Sequence, residues 1–190
     1  MQASFGHGNH RNMKDVADDL WVFGYGSLMW RPGFPFAERR HAHLYGYHRS
    51  LCIFSHVHRG TPDNPGLVLG LDRGGRCHGV AFRVESDEVE ATVHYLRERE
   101  QATAVYLERR LPVRLDDGRT VRALGYVADR RHAQYAGRLD FEEVLRLVRQ
   151  GRGVSGRNPD YVRSTYEHLI GMNVVDPLLQ RITRALDGDS

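Results

Sequence analysis

Apolar residues follow strand-like patterns through most of the first two thirds of this chain and recur at helical spacing through the last third. That order is the tightest constraint on its fold. Strand-like segments occupy residues 20–25, 41–47, 51–55, 67–71, 78–84, 105–115 and 120–127. Turn chemistry separates them at Pro62-Asp-Asn-Pro-Gly66, Gly74-Gly75 and Asp116-Asp-Gly118. One helical stretch, 86–100, interrupts the strands. Asp140-Phe-Glu-Glu143 then resembles a capping box ahead of Val144, Leu147 and Val148, and Gly151 and Gly153 end that helix. Asn158-Pro159 opens another with proline in its first turn. Asp176-Pro177 opens a third, with Leu178, Ile182 and Ala185 on one face. Strands first, one helix among them and helices after, argue an α+β fold over alternating βαβ units. The expected architecture is a strongly curved or closed mixed sheet with the 86–100 helix packed against it.

At 190 residues the chain is long enough for one domain with a sizeable core. The expected division is a single domain over 19–190 and a disordered tail over 1–18 that carries His7, His10 and Arg11. No apolar run is long enough to span a bilayer, and the first residues lack the apolar stretch of a signal peptide, so neither a membrane partner nor secretion is expected. A cytoplasmic location follows. The two cysteines, Cys52 and Cys77, form neither a disulfide framework nor a CxxC site. The net charge of +3 comes almost wholly from arginine, Lys14 being the single lysine. Those arginines are interspersed with acids and form no basic run, so no nucleic-acid partner is expected. The pattern fixes no oligomeric state.

Glu100 is the residue with the most chemical content. Ser86 and Asp87 suit the start of its helix, and Glu88 and Glu90 complement the positive end of the dipole. Val89, Val93, Leu96 and Glu100 then stand at i, i+4, i+7 and i+11, within one narrow wedge at about 100° per residue. Glu98 falls on the opposite face. The helix thus offers one solvated glutamate and one carried along its apolar stripe. An inward carboxylate would have a raised pKa and suit acid/base work, whereas a frayed helix end would leave it in water. The wheel alone leaves both open.

Several other segments are candidates. In Phe23-Gly-Tyr-Gly-Ser-Leu-Met29, two glycines after a strand allow a sharp turn whose N–H groups can form an anion-binding nest. Met29, Pro32 and Pro35 exclude a dinucleotide fingerprint there. His41-x-His43 and His56-x-His58 each put two histidines on one strand face, but no third ligand stands at a diagnostic spacing, so no metal is expected. Ser27 and Ser55 lie outside any nucleophile elbow. Arg59 can pair with a carboxylate or lie on the surface. The glycine-rich run from Gly151 to Asn158, opening into a helix, offers N–H groups to an anion. Beyond it, Tyr161, Thr165, His168 and Met172 share a helix face. Tyr161 is either a substrate hydrogen-bond donor or a core tyrosine.

Taken in order, Val22-Phe-Gly-Tyr-Gly-Ser-Leu-Met-Trp30, His58-Arg-Gly-Thr-Pro62 with Pro65-Gly66, Arg99-Glu100, Ser155-Gly-Arg-Asn158 with Tyr161, and Asp176-Pro-Leu-Leu179 resemble the ChaC family of γ-glutamylcyclotransferases. The resemblance covers roughly residues 20–186. It implies a small mixed β-barrel with flanking helices, acting on glutathione without cofactor or metal. It also implies that the substrate's own α-amine attacks its γ-carbonyl, releasing 5-oxoproline and cysteinylglycine. By position, Glu100 is the general base and then acid, and Tyr25, Gly26, Ser27 and Leu28 hold the γ-glutamyl amino-acid end. Tyr161 becomes a substrate contact. The loop's N–H groups serve either the substrate carboxylate or the oxyanion. After Glu100 the chain reads Gln101-Ala-Thr-Ala-Val-Tyr106, where animal members carry a Gly-Gly-Tyr-type stretch, and that difference bears on the leaving group. A cyclotransferase for other γ-glutamyl amino acids or amines, and a non-catalytic γ-glutamyl-binding regulator, are the alternatives.

Overall fold

The structure is a computed structural model that describes residues 19–100 and 104–188. The expected tail, residues 1–18, lies outside the described residues. Five strands form a closed barrel: β1 (Leu20–Gly24), β2 (Glu38–Ser55), β3 (Gly66–Val84), β4 (Tyr106–Leu115) and β5 (Thr120–Ala128), in the order β1-β3-β2-β4-β5. Four pairings are antiparallel. The barrel closes through a short parallel pairing of β1 with β5, Trp21 opposite Ala123 and Val22 opposite Leu124. The expected mixed, closed sheet is what forms.

The strands are fewer and longer than the sequence pattern suggests. Segments 41–47 and 51–55 both belong to β2, and 67–71 and 78–84 both belong to β3. Gly74-Gly75 is therefore a bend inside a strand and not a chain reversal. The ladder passes from Tyr45 opposite Arg76 to Tyr47 opposite Arg73, so Gly46 on one strand faces two glycines on the other. All three have positive φ, at 84°, 99° and 69° for Gly46, Gly74 and Gly75. Such a bulge kinks the ladder and increases its twist, which helps a long hairpin wrap into a barrel. At Gly74 a Cβ would meet nothing within 4 Å. Gly74→Ala is thus expected to cost about 1–2 kcal/mol from backbone conformation alone. A shift of that size in the denaturation midpoint, with turnover unchanged, checks it.

Between β3 and β4 lies α1 (Val89–Glu100), entered through a 3-10 turn at Ser86–Glu88. Ser86 and Asp87 lie inside that turn and are not its caps; the capping position is Glu85, without a side-chain bond. Three helices follow β5: α2 (Phe141–Gln150), α3 (Asn158–Gly171) and α4 (Pro177–Asp187). Asp140 accepts from the Glu143 N–H at 2.8 Å, but Glu143 turns its carboxylate to Arg146 at 2.7 Å, so only half of the expected capping box is seen. Asp176 caps α4 through the Leu179 N–H at 3.0 Å. The most deeply buried face of α4 is Leu179, Ile182 and Leu186, with Leu178 and Ala185 at its margin. Helices α2, α3 and α4 pack on one another and α2 packs on β3, so one hydrophobic cluster runs from Leu20 to Leu186. Among the described residues, no helix is long and apolar enough to cross a membrane.

Candidate active site

The apolar stripe of α1 turns inward as its spacing requires. Leu96 is fully buried, and Val89 and Val93 pack against the core. At the end of that stripe the Glu100 side chain is 18% exposed, while that of Glu98 is 68% exposed. The reading of a frayed, solvated Glu100 is thereby set aside. Burial raises its carboxyl above the usual carboxylate range, and the Arg99 guanidinium, 3.2 Å away, offsets part of that rise.

At the end of β1 the chain folds back through a 3-10 turn, Ser27–Met29. Gly24 makes this fold possible, because a Cβ there would sit 3.0 Å from the Leu28 Cβ. Met29 N–H bonds to the Gly26 carbonyl at 2.9 Å, and Arg31 N–H to the Ser27 carbonyl at 2.8 Å. Among the described residues, no acceptor meets the N–H of Gly26, Ser27 or Leu28. These are the first, unpaired donors of a helical turn, where an anion is favoured. A Cβ at Gly26 would meet only Leu69 Cδ1, at 3.7 Å, so the space over this peptide is open.

Arg99 joins the two parts. It donates to Ser27 Oγ, to the Arg31 carbonyl and to Tyr95 Oη, each at 2.8 Å, while its Nε faces Glu100. The six expected site residues converge: Tyr25, Gly26, Ser27, Leu28, Glu100 and Tyr161 line one cavity of about 90 Å³. Val68, Leu69, Tyr106 and Tyr126 complete its wall. Tyr106 donates to the Leu69 carbonyl at 2.7 Å. Leu69 N–H donates to Tyr161 Oη at 3.3 Å, so the Tyr161 proton remains available. Tyr126 donates to Glu108 at 3.2 Å. Burial pushes all four phenols up, so Tyr25, Tyr106, Tyr126 and Tyr161 stay protonated. The cavity therefore gathers the unpaired N–H groups of residues 26–28, the Tyr25 and Tyr161 phenols and one carboxylate with a raised pKa. That arrangement complements the carboxylate and ammonium of an α-amino acid.

Tyr106, Tyr126 and the bridging role of Arg99 escape a reading of the sequence alone. Both tyrosines sit on ordinary strand patterns, and only barrel closure brings them to Glu100. Other candidates take different places. Arg59 donates to the Ser155 carbonyl and lies 5.1 Å over the Tyr161 ring, behind the cavity wall. The glycine-rich run is no open anion site. It forms a small hairpin, Arg152–Gly153 against Gly156–Arg157. Gly151, Val154, Ser155 and Asn158 N–H groups bond to carbonyls of Leu147, Val57, His58 and Gly151. A Cβ on Gly153 would collide with the Val57 carbonyl oxygen, so close packing accounts for that glycine. On α3, Thr165 is buried but His168 is exposed and stacks on Trp30 at 4.4 Å. Ser27 and Ser55 accept from Arg99 and from Arg59 N–H, and neither has a histidine partner. His56 and His58 lie past the end of β2, off any strand. His41 meets His78 at 3.2 Å and His43 stacks on it. Among the described residues, no three His, Cys, Asp or Glu side chains are grouped to hold a metal.

A model of the ChaC-like protein family matches residues 20–187. The Escherichia coli (strain K12) protein named glutathione-specific gamma-glutamylcyclotransferase is 38% identical over 157 residues, covering 83% of this chain and 68% of that protein. The Homo sapiens glutathione-specific gamma-glutamylcyclotransferase 1 is 32% identical over 173 residues, 88% of this chain and 78% of its own. The crystal structure of a yeast gamma-glutamyl cyclotransferase specific to glutathione superposes with a TM-score of 0.81 at 21% identity, covering 90% of this chain and 96% of that one. That last likeness is one of fold.

Proposed function

The chain belongs to the ChaC-like family, and from that premise we propose that it cleaves the γ-glutamyl bond of glutathione by cyclisation, giving 5-oxoproline and cysteinylglycine. One observation supports this most: a largely buried carboxylate and a run of unpaired N–H groups line one cavity fit for an amino-acid head group. The α-ammonium of the γ-glutamyl group gives a proton to Glu100. The freed amine attacks the γ-carbonyl carbon and closes a five-membered ring. The amide C–N bond then breaks as Glu100 returns the proton to the departing nitrogen, and the ring nitrogen gives up its second proton, which the freed amine of cysteinylglycine takes up to leave as an ammonium. Holding amine and carbonyl together supplies much of the acceleration. The N–H groups of Gly26, Ser27 and Leu28 take either the α-carboxylate or the oxyanion, and Tyr161 adds a phenolic donor. The nucleophile belongs to the substrate, which fits a site where no serine stands beside a histidine. We place the reaction in the cytoplasm, where the free, buried Cys52 and Cys77 would stay reduced. We take residues 19–190 as the unit that carries it.

The test is glutathione incubated with pure protein and a chelator, with products followed by mass. Equal amounts of 5-oxoproline and cysteinylglycine are expected. Glutamate in place of 5-oxoproline would mean hydrolysis and would overturn the mechanism. Turnover of γ-glutamyl-alanine without turnover of glutathione would move the activity to another leaving group.

A further inference from the structure

Arg49 lies on β2, and its side chain is only 5% exposed. It does not line the catalytic cavity. It faces a separate groove between the β2–β3 ladder and the starts of α2 and α4. From there its guanidinium reaches three oxygen acceptors on different parts of the chain. Nε donates to the Tyr25 carbonyl at 2.6 Å, Nη2 to the His78 carbonyl at 2.8 Å, and Nη1 to Asp176 Oδ2 at 3.2 Å. Nη2 also lies 3.6 Å from Met29 Sδ, so the same group touches both ends of the turn over residues 25–29. The other oxygen of Asp176 caps α4.

The Tyr25–Gly26 peptide is trans. In a planar trans peptide the carbonyl and the following N–H point in opposite directions. A Tyr25 carbonyl held outward by Arg49 therefore turns the Gly26 N–H to the other side, and Gly26 lines the cavity. We propose that Arg49 is a positioning residue: it clamps the Tyr25–Gly26 peptide from outside the site and thereby aims the Gly26 N–H at the γ-glutamyl group. Asp176 balances its buried charge, which ties the start of α4 to the substrate loop. The catalytic consequence rests on the function proposed above; the clamp itself does not.

A point charge and a fork separate positioning from mere stability. Lysine at position 49 keeps a cation beside Asp176 but cannot span three acceptors in the guanidinium's fixed geometry. Arg49→Lys and Arg49→Met are compared in the full chain by melting temperature, by kcat and KM for glutathione, and by the Gly26 amide resonance. Arg49→Met should melt lower, since it leaves the Asp176 carboxylate buried and unpaired. Arg49→Lys should recover most of that loss and still turn over glutathione with kcat/KM about 10–100-fold below wild type, as a slightly misplaced donor would give. A loss in kcat assigns the N–H to the transition state, and a rise in KM alone assigns it to the bound carboxylate; either supports the clamp. An Arg49→Lys protein with wild-type kcat/KM would reduce Arg49 to a stabilising cation and overturn the proposal. If the wild-type protein makes no 5-oxoproline, the enzyme reading fails by itself. The clamp then stands or falls on the Gly26 amide resonance, which must move in Arg49→Lys and overturns the clamp if it does not.

Discussion

Glu100→Gln is expected to lower kcat for glutathione by about 10²–10⁴-fold, the usual contribution of a general acid/base, while raising the melting temperature at neutral pH. The two effects have one cause. Burial at the inner end of α1 favours the neutral carboxyl, so the folded pKa stands above 4.5, the value of an unperturbed glutamate. A folded pKa above the unfolded one means that the folded state binds the proton more tightly. Stability therefore falls as pH rises through that interval, and the penalty is complete once both states are ionised. Glutamine never ionises, so its gain should be present at pH 7 and vanish below the unfolded pKa. Turnover in the wild type should show the mirror image. The base must be ionised to take the ammonium proton, so the acid limb of kcat/KM, which reports the free enzyme, lies above the ordinary carboxylate range. Melting curves at neutral and acidic pH, beside turnover of both proteins, read the two together. Near-normal turnover in Glu100→Gln would remove Glu100 from the chemistry. Lost turnover with no pH-dependent gain in stability would mean that burial does not set its pKa.

Glu100 is legible in the sequence because helical periodicity is local. Four positions on one wedge mark it as a candidate for the interior, with the neighbouring Glu98 as the contrast within the same turns, and the family resemblance decides between the two readings the wheel leaves open. The loop over residues 25–28 is legible for a similar reason, since two glycines after a strand mark a sharp turn wherever they stand. Barrel closure is not local. Tyr106 and Tyr126 read as unremarkable strand residues until barrel closure, with β4 on β5 and β5 on β1, brings them to the cavity wall. Arg49 is hidden for the same reason. Its partners, Tyr25, His78 and Asp176, lie 24, 29 and 127 residues away in the chain. Gly74-Gly75 misleads because positive φ serves a bulge as well as a reversal, and only the pairing of Tyr47 with Arg73 separates them. Gly151 and Gly153 mislead in the other direction. They resemble part of an open anion loop, yet at each of them a backbone oxygen lies where a Cβ would be.

Asn158→Ala is expected to destabilise the fold severely, although Asn158 touches neither Glu100 nor the cavity. It is fully buried at the first turn of α3. Its Oδ1 accepts from the Leu67 N–H at 2.7 Å and its Nδ2 donates to the Leu67 carbonyl at 2.8 Å. The side chain thus pairs with β3 as a neighbouring strand would, and it satisfies both polar groups of a residue that is itself fully buried. Gly66 and Gly151 leave no room for a repacked substitute, since added Cβ atoms there would lie 2.7 Å and 2.8 Å from Asn158 atoms. Alanine would strand one donor and one acceptor at about 1–3 kcal/mol each, or about 2–6 kcal/mol together. For a domain of this size that lowers the melting temperature by about 4–24 °C. Asn158→Asp keeps the acceptor, loses the donor and introduces a charge, so it should not recover the loss. Two residues beyond Leu67, the Leu69 carbonyl is held by Tyr106 from β4, independently of Asn158, so the alanine protein, assayed well below its midpoint, should retain turnover. An unchanged midpoint would show that this pair does not hold α3 to the barrel. A stable but inactive protein would show instead that the register of β3 at Leu67 controls the cavity wall at Leu69.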